Sequence, residues 1–333
     1  MREKPKVGIV GVGMVGKEAM RYFLENGWKR GQDLLLYDLD HKKNFTDDAA
    51  KADVIFLCVP TPAKKDGSCD TSIVESAVAK YHHPNRVLVI KSTVEPGTVA
   101  RLQKKYKSPI LFNPEFLTES RAWEDFLRPD RQIVGHTAKS MEHASTILNM
   151  LPAAYFSSPG TLGTYEFTRI NSSEAELGKY ASNVFGAIKV TYANILADFA
   201  RALETASRRE GIKLPINYEN VRKMVAHDRR IGDAWMSVYH GNYRGFGGYC
   251  FPKDFKAFIS FGETLAKKLN KKKDKELKSV LIKSLDVLKS IWSYNERLLK
   301  TQGLTAEMVS SHEKNIKEFL EKKWAKKKQT KLS

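Results

Sequence analysis

The feature that most constrains this chain lies at its start. The short, β-branched run Lys6-Val7-Gly8-Ile9-Val10 passes straight into Gly11-Val12-Gly13-Met14-Val15-Gly16, and a helical stretch follows to about Asn26. A strand, a G-x-G-x-x-G turn and a helix in that order form a phosphate-binding unit. Gly11 makes the tight turn, Gly13 lets a pyrophosphate approach the backbone, and Gly16 lets the helix pack on the strand. The helix N-terminus then offers N–H groups and the positive end of its dipole to an anion. Asp38, at the end of the next apolar run, is placed to accept from ribose hydroxyls and to repel a 2′-phosphate. Together these features point to NAD rather than NADP. Lys43, five residues on, either reaches the same ribose or is solvated.

Apolar runs continue at Leu34–Tyr37, Asp53–Val59, Val87–Ile90, Pro109–Phe112 and Gln132–Val134, separated by helical or turn-rich stretches. Continuous apolar strands alternating with helices imply a parallel sheet buried on both faces. Ala19, Phe23 and Leu24 mark the packed side of the first helix. The character changes near residue 165. From Ser172 to about Thr205 the chain reads as one long helix without proline, with Ser173 and Glu176 spaced as a capping box. Helical material continues to about Lys300, broken by a glycine-rich segment at 241–248. The expected fold class is α/β: an N-terminal Rossmann-type parallel-sheet domain over 1–165, then an all-helical domain with a long central helix over 166–300. Residues 301–333 read as a lysine-rich C-terminal tail.

Composition narrows the function classes. No apolar run is long enough to cross a bilayer, and the first residues lack the apolar stretch of a secretory signal. Three cysteines, Cys58, Cys69 and Cys250, argue against a disulfide framework and for a reducing, cytoplasmic setting. Cys58 lies within a strand and reads as core, and Cys69 reads as an ordinary loop residue. None has the spacing of a metal site, so no metal is expected. Residues 265–333 hold 18 Lys and 1 Arg against 8 acids, a net +11 of the chain's +18. That charge is either a solvated lysine-rich helix or an attractor of anions. Nucleic acid is not the expected partner, because no aromatic interleaving or recognition motif accompanies it.

The segment Gly245-Phe246-Gly247-Gly248-Tyr249-Cys250-Phe251-Pro252-Lys253-Asp254 says most about chemistry. Glycines ahead of a cysteine permit close backbone approach to a ligand. A cysteine beside Lys253, at a helix start, would be activated as a nucleophile; alternatively Cys250 is a small buried residue at a turn. On the long helix Glu176, Lys179 and Asn183 share one face. A lysine and an amide there suit an oxygen that gains negative charge during a reaction.

These segments together resemble the UDP-glucose/GDP-mannose dehydrogenase family. The matching pieces, in order, begin with the glycine loop, Val59-Pro60-Thr61-Pro62, Lys91-Ser92-Thr93-Val94 with Gly97-Thr98, and Asn113-Pro114-Glu115-Phe116-Leu117-Thr118-Glu119-Ser120. Pro129-Asp130-Arg131, Glu176 to Asn183, Arg230-Ile231-Gly232 and the cysteine loop follow. The resemblance implies oxidation of the C6 alcohol of a nucleotide sugar to a carboxylate, with NAD and without metal. It implies that Cys250 captures the aldehyde as a thiohemiacetal that becomes a thioester. Lys179 and Asn183 would stabilise the C6 oxygen, and Asp254 would orient a water or the lysine. Glu115 and Glu119 match carboxylates of the substrate loop, one of them the general base for hydrolysis. Thr93 would lie near the nicotinamide. Val12, Met14, Val15, Thr61, Glu119 and Lys253 join the glycines, Asp38 and Lys43 as cofactor contacts. Phe116, Leu117, Arg230, Tyr239, Asn242, Tyr243 and Gly247 join the substrate contacts, with Arg230 reaching a neighbouring subunit's sugar.

Members of this family usually continue into a third, Rossmann-like domain that holds the nucleotide diphosphate. After Tyr294-Asn295-Glu296-Arg297 this chain offers only a short lysine-rich stretch. Three expectations follow: a separate protein supplies that domain, the substrate is a smaller phosphorylated sugar, or the full reaction is lost. Two other functions stay open, a two-electron 3-hydroxyacid-type dehydrogenase and a non-catalytic NAD-binding partner subunit. Phe185, Ile188, Tyr192 and Ile195, spaced along the long helix, imply packing against a second subunit or the Rossmann domain, and the resemblance implies a homodimer.

Overall fold

The computed structural model describes residues 4–160, 169–213, 215–240, 242–311 and 315–322. The expected boundary at 165–166 and the last part of the lysine-rich stretch lie outside the described residues. The chain divides into two compact units, Met1–Lys65 with Cys69–Tyr180, and Asp66–Ser68 with Ala181–Ser333.

In the first unit, β1 (Val7–Val10), β2 (Leu34–Tyr37), β3 (Val54–Leu57), β4 (Val87–Ile90) and β5 (Ile110–Phe112) form one sheet in the order β2-β1-β3-β4-β5. Every pair is parallel. Side chains alternate across the pleat. Val7, Ile9, Leu34, Leu36, Val54, Phe56, Val87, Val89 and Leu111 fill one core. Val10, Leu35, Ile55, Leu57, Leu88, Ile90, Ile110 and Phe112 fill the other. Burial on both faces is why these strands read as unbroken apolar runs. Each such side chain contributes roughly 1.5–3 kcal/mol of burial free energy. The strand order reverses between β1 and β3, so a crevice opens at their carboxyl ends, where open α/β sheets bind ligands. The expected α/β class with a Rossmann-type sheet is borne out. Helix α1 (Met14–Glu25) follows β1 and buries Ala19 and Phe23, but Leu24, expected beside them, is exposed because it falls off that face. Cys69, read as an ordinary loop residue, lies outside the helices and strands and is buried. Its amide donates to Glu95 Oε1 at 3.2 Å, which ties the loop to the segment after β4.

A single long helix, α2 (Ser172–Arg209), starts in the first unit and runs on into the second. It ends a turn beyond the expected Thr205, since Arg208 and Arg209 favour a helix C-terminus. Its start is also differently capped. Asn171 Oδ1 accepts from Glu174 N–H at 3.0 Å, and Glu174 Oε2 accepts from Asn171 N–H at 2.8 Å. The capping box is therefore Asn171/Glu174, two residues before the expected Ser173/Glu176, and Glu176 is left for another partner.

The second unit is otherwise built of α3 (Tyr218–Ala226), α4 (Phe251–Lys268) and α5 (Lys275–Thr301). A small hairpin, Tyr239–His240 with Tyr243–Arg244, precedes α4. Val184, Ala187 and Val190 of α2 pack with Phe246 and Phe255. Leu304, Ala306, Val309, Ile316 and Leu320 pack with Tyr243 and Leu299 in a second cluster. Among the described residues no helix is long and apolar enough to cross a membrane.

Candidate active site

The glycine loop has the shape a pyrophosphate needs. Gly11 has φ +89°, and a side chain there would press a Cβ to 2.7 Å from the Cys58 carbonyl oxygen. A Cβ on Gly16 would collide with the Gly11 carbonyl oxygen, while one on Gly13 would meet nothing within 4 Å. The outer two positions thus require glycine for packing, and the middle one leaves space for a ligand. Helix α1 begins at Met14 without a side-chain cap and with no acid in its first turn. Its leading N–H groups are left for an anion. These residues fit NAD.

Asp38 closes the same end of the sheet. Its Oδ2 accepts from Val12 N–H at 2.7 Å and from Lys43 Nζ at 2.9 Å, and its Oδ1 accepts from Asp40 N–H at 2.9 Å. Burial alone would raise its pKa. The donors from Asp40, Lys43 and Val12 outweigh that and hold the carboxyl below its usual value. Asp38 is therefore a fixed acceptor beside the loop, and Lys43 spends its charge on Asp38 and the Val12 carbonyl. Thr61 is buried, and Thr93 is half-buried, its carbonyl 3.7 Å from Cys69 Sγ. Cys58, at the carboxyl end of β3, is pushed up to about 12 by burial, only partly countered by Lys91. It stays a neutral thiol, in keeping with a core role.

The carboxylate loop after β5 meets the first turns of α2. Glu115 Oε1 lies 3.5 Å from Lys179 Nζ, with both side chains almost out of solvent. Its other oxygen accepts from Leu117 N–H at 2.7 Å. Phe116 lies between two cations, the Arg131 guanidinium at 3.7 Å and Lys179 Nζ at 5.2 Å from the ring centroid. Glu119 opens a short 3₁₀ turn. A buried acid–lysine pair is costly to desolvate and costly to break, so each partner holds the other in place.

Lys91 and Asn113, quoted within motifs but given no role, and Glu176, expected to cap its own helix, support this cluster. Lys91 is buried and donates to Asn113 Oδ1 at 2.5 Å. Burial pulls its pKa down. Asn113 Nδ2 donates to Gln132 Oε1 and the Ile133 carbonyl, so the loop is tied at its root. Glu176 accepts from Gly97 N–H at 2.5 Å and Val99 N–H at 2.8 Å. It thereby caps the helix Thr98–Lys105 from a distant part of the chain. In the sequence Lys91 stood in the Lys91-Ser92-Thr93-Val94 motif, at the end of an apolar run.

In the second unit Asp254 is the hub. It is 1% exposed. Its Oδ2 accepts from Asn183 Nδ2 at 2.5 Å and its Oδ1 from Lys253 Nζ at 2.5 Å. Cys250 is the residue that caps α4, with Pro252 in the first turn, and its carbonyl accepts from Asp254 N–H. Cys250 thus stands at the N-terminal end of the helix. Lys253, expected to touch cofactor, is engaged by Asp254. Arg230 is 89% exposed and pairs with Asp228 at 2.7 Å. Tyr239 is exposed, Tyr243 is buried, and Asn242 turns the hairpin with φ +70°. Gly247 packs against Tyr243 and the Val309 carbonyl.

Comparison with known proteins follows this geometry. The UDP-glucose/GDP-mannose dehydrogenase family, NAD binding domain, matches residues 32–151, and the central domain of the same family matches residues 173–273. The first match begins after the glycine loop, whose assignment therefore rests on its own geometry. The chain is 35% identical over 227 residues to UDP-glucose 6-dehydrogenase of Rickettsia conorii, covering 66% of this chain and 47% of that protein. It is 34% identical over 229 residues to the Pseudomonas aeruginosa enzyme of that name, covering 64% and 45%. The chain thus spans about half the length of the curated relatives it matches. A UDP-glucose dehydrogenase from Pyrobaculum islandicum superposes with TM-score 0.66 at 26% identity, over 90% of this chain and 71% of that one. A UDP-D-ManNAc dehydrogenase from Pyrococcus horikoshii shares the fold, with TM-score 0.64 at 18% identity over 89% and 69%.

Proposed function

The chain belongs to the UDP-glucose/GDP-mannose dehydrogenase family, and from that premise we propose that it oxidises the C6 alcohol of a UDP-glucose-like nucleotide sugar to the carboxylate. Two molecules of NAD, bound in turn, would each accept one hydride. Gly11 to Gly16 would hold its pyrophosphate and Asp38 its adenosine ribose, while Thr61, Thr93 and Glu119 line the path toward the nicotinamide. In the first oxidation C6 loses a hydride, and its hydroxyl proton passes to a water that Asp254 would orient. The Lys179 ammonium and the Asn183 amide stabilise the oxygen that carries the developing charge. The Cys250 sulfur then bonds to the aldehyde carbon, which keeps the aldehyde from escaping. Loss of a second hydride leaves a thioester. Water attacks its carbonyl carbon, the C–S bond breaks, and the thiolate returns. Glu115 or Glu119 takes the proton of the attacking water. Phe116, Leu117, Arg230, Tyr239, Asn242, Tyr243 and Gly247 are the proposed substrate contacts.

The observation that supports this reading most is the Asp254 hub. A buried carboxylate holds Asn183 and Lys253 beside the start of the helix capped by Cys250, a cysteine that a two-electron dehydrogenase does not need. Purified chain is incubated with NAD and a panel of sugar nucleotides and sugar phosphates, and NADH absorbance is followed. Turnover with one of them is expected. Tight NAD binding with no turnover across the panel overturns the reading in favour of a non-catalytic partner subunit.

A homodimer is part of the same proposal. Phe185, Tyr192 and Phe199 stand exposed at seven-residue intervals on α2, so they form one apolar stripe. Phe199→Lys is expected to halve the mass seen by gel filtration with light scattering. An unchanged mass, or a wild-type monomer, rejects the dimer. A cytoplasmic setting completes the proposal.

A further inference from the structure

The run from Tyr243 to Gly248, which delivers Cys250, is stitched to the C-terminal part of the chain at every second residue. Gln302 Oε1 accepts from Arg244 N–H at 2.8 Å, and its Nε2 donates to the Arg244 carbonyl at 3.0 Å. Asn295 does the same two residues on, accepting from Phe246 N–H at 2.8 Å and donating to the Phe246 carbonyl at 3.1 Å. Two residues further, Gly248 N–H donates to the Val309 carbonyl at 2.8 Å. Two side-chain amides and one carbonyl thus stand in for a neighbouring β-strand. Gly245 has φ +100°, and a Cβ there would lie 2.7 Å from Asn295 Oδ1, so glycine is required for the clamp to close. Asn295 is 1% exposed, and Val309 is fully buried.

All three partners lie beyond residue 273, where the family match ends. The geometry points to Asn295 and Gln302 as positioning residues that fix the backbone of the cysteine loop, and so hold Cys250 at the start of α4 in its reactive setting. They act through the loop and touch no substrate. The inference deepens the proposed covalent oxidation and rests on it for its catalytic meaning. Its physical basis is that an amide gripping both backbone groups of one residue fixes that residue's place along the chain. Removing Asn295 leaves two buried backbone groups unpaired, and removing Gln302 leaves two part-buried ones.

The test uses the full chain with Gln302→Met, Gln302→Glu and Asn295→Leu. Alkylation of Cys250 by iodoacetamide is followed across pH by mass spectrometry of its peptide. NAD affinity and melting temperature are measured alongside. Gln302→Met is expected to slow alkylation about tenfold at neutral pH and to shift its profile upward by about one pH unit, with NAD affinity unchanged. Gln302→Glu keeps the acceptor for Arg244 N–H and is expected to fall between. A merely structural role would lower the melting temperature and leave the alkylation profile where it is. A Gln302→Met profile that superposes on the wild type overturns the inference, whether or not Asn295→Leu folds. If the wild type turns over no sugar nucleotide, the proposed function fails, and the alkylation profiles still decide the clamp.

Discussion

In the glycine loop the groups proposed to meet a ligand are backbone atoms, held by the strand before them and the helix after them. In the cysteine loop the proposed reactive group is a side chain. Its backbone is held by residues about 50 positions away, as with Phe246 and Asn295. The first arrangement is local: β1, Gly11 to Gly16 and α1 follow one another, and parallel pairing fixes the register. The second is long-range and polar, and it works only if Asn295, Gln302 and Val309 arrive in place. A binding site made of backbone can be specified by a few neighbouring glycines. A nucleophile needs its surroundings specified by side chains from elsewhere.

That contrast can be broken by substitution. The largest effect is expected at Lys179→Ala, which removes the cation paired to Glu115. Steady-state kinetics should show kcat down by on the order of a thousandfold, with NAD affinity preserved. An unchanged kcat would remove Lys179 from the chemistry. Next comes Gly16→Val, which drives a side chain onto the Gly11 carbonyl oxygen. Calorimetry should show NAD affinity down about a hundredfold or more, while Cys250 alkylation keeps its wild-type rate. Coupled loss of both would show that the two regions are not independently built.

The smallest effect sharpens the comparison within the first unit. Burial pushes the Glu176 carboxyl up to about 7 from 4.5, against the pull of the Val99 and Gly97 amides. A raised carboxyl favours the folded state while protonated. Its contribution is therefore full below pH 4.5 and is lost as pH rises through about 7. Denaturant melts across that window should show this falling component, about 3 kcal/mol in all, and Glu176→Gln should flatten it. A variant with the wild-type slope would assign the pH dependence elsewhere.

The sheet was legible because strands buried on both faces leave continuous apolar runs, so Leu34–Tyr37 and Val87–Ile90 match β2 and β4 end for end. The glycine loop was legible because each glycine answers a separate steric demand. The hairpin at Tyr239–Arg244 was not, since strands of two residues carry no periodicity. Nor was the true partner of Glu176. Two acids at the start of α2 fit a capping box, and only the fold decides that Glu174 takes Asn171 while Glu176 caps a different helix. Asn295 and Gln302 carry no signal of a site in the sequence, and Lys91 stood there only as part of a motif. Their roles depend on what lies across from them, which spacing along the chain does not encode.

The most direct measurement is the yield of NADH per molecule of sugar nucleotide consumed, for the wild type and for Cys250→Ala. Covalent oxidation predicts two for the wild type, and for the variant at most one, with aldehyde released and turnover slowed by on the order of ten-thousandfold. A variant that still returns two at the wild-type rate would contradict a sulfur-bound intermediate.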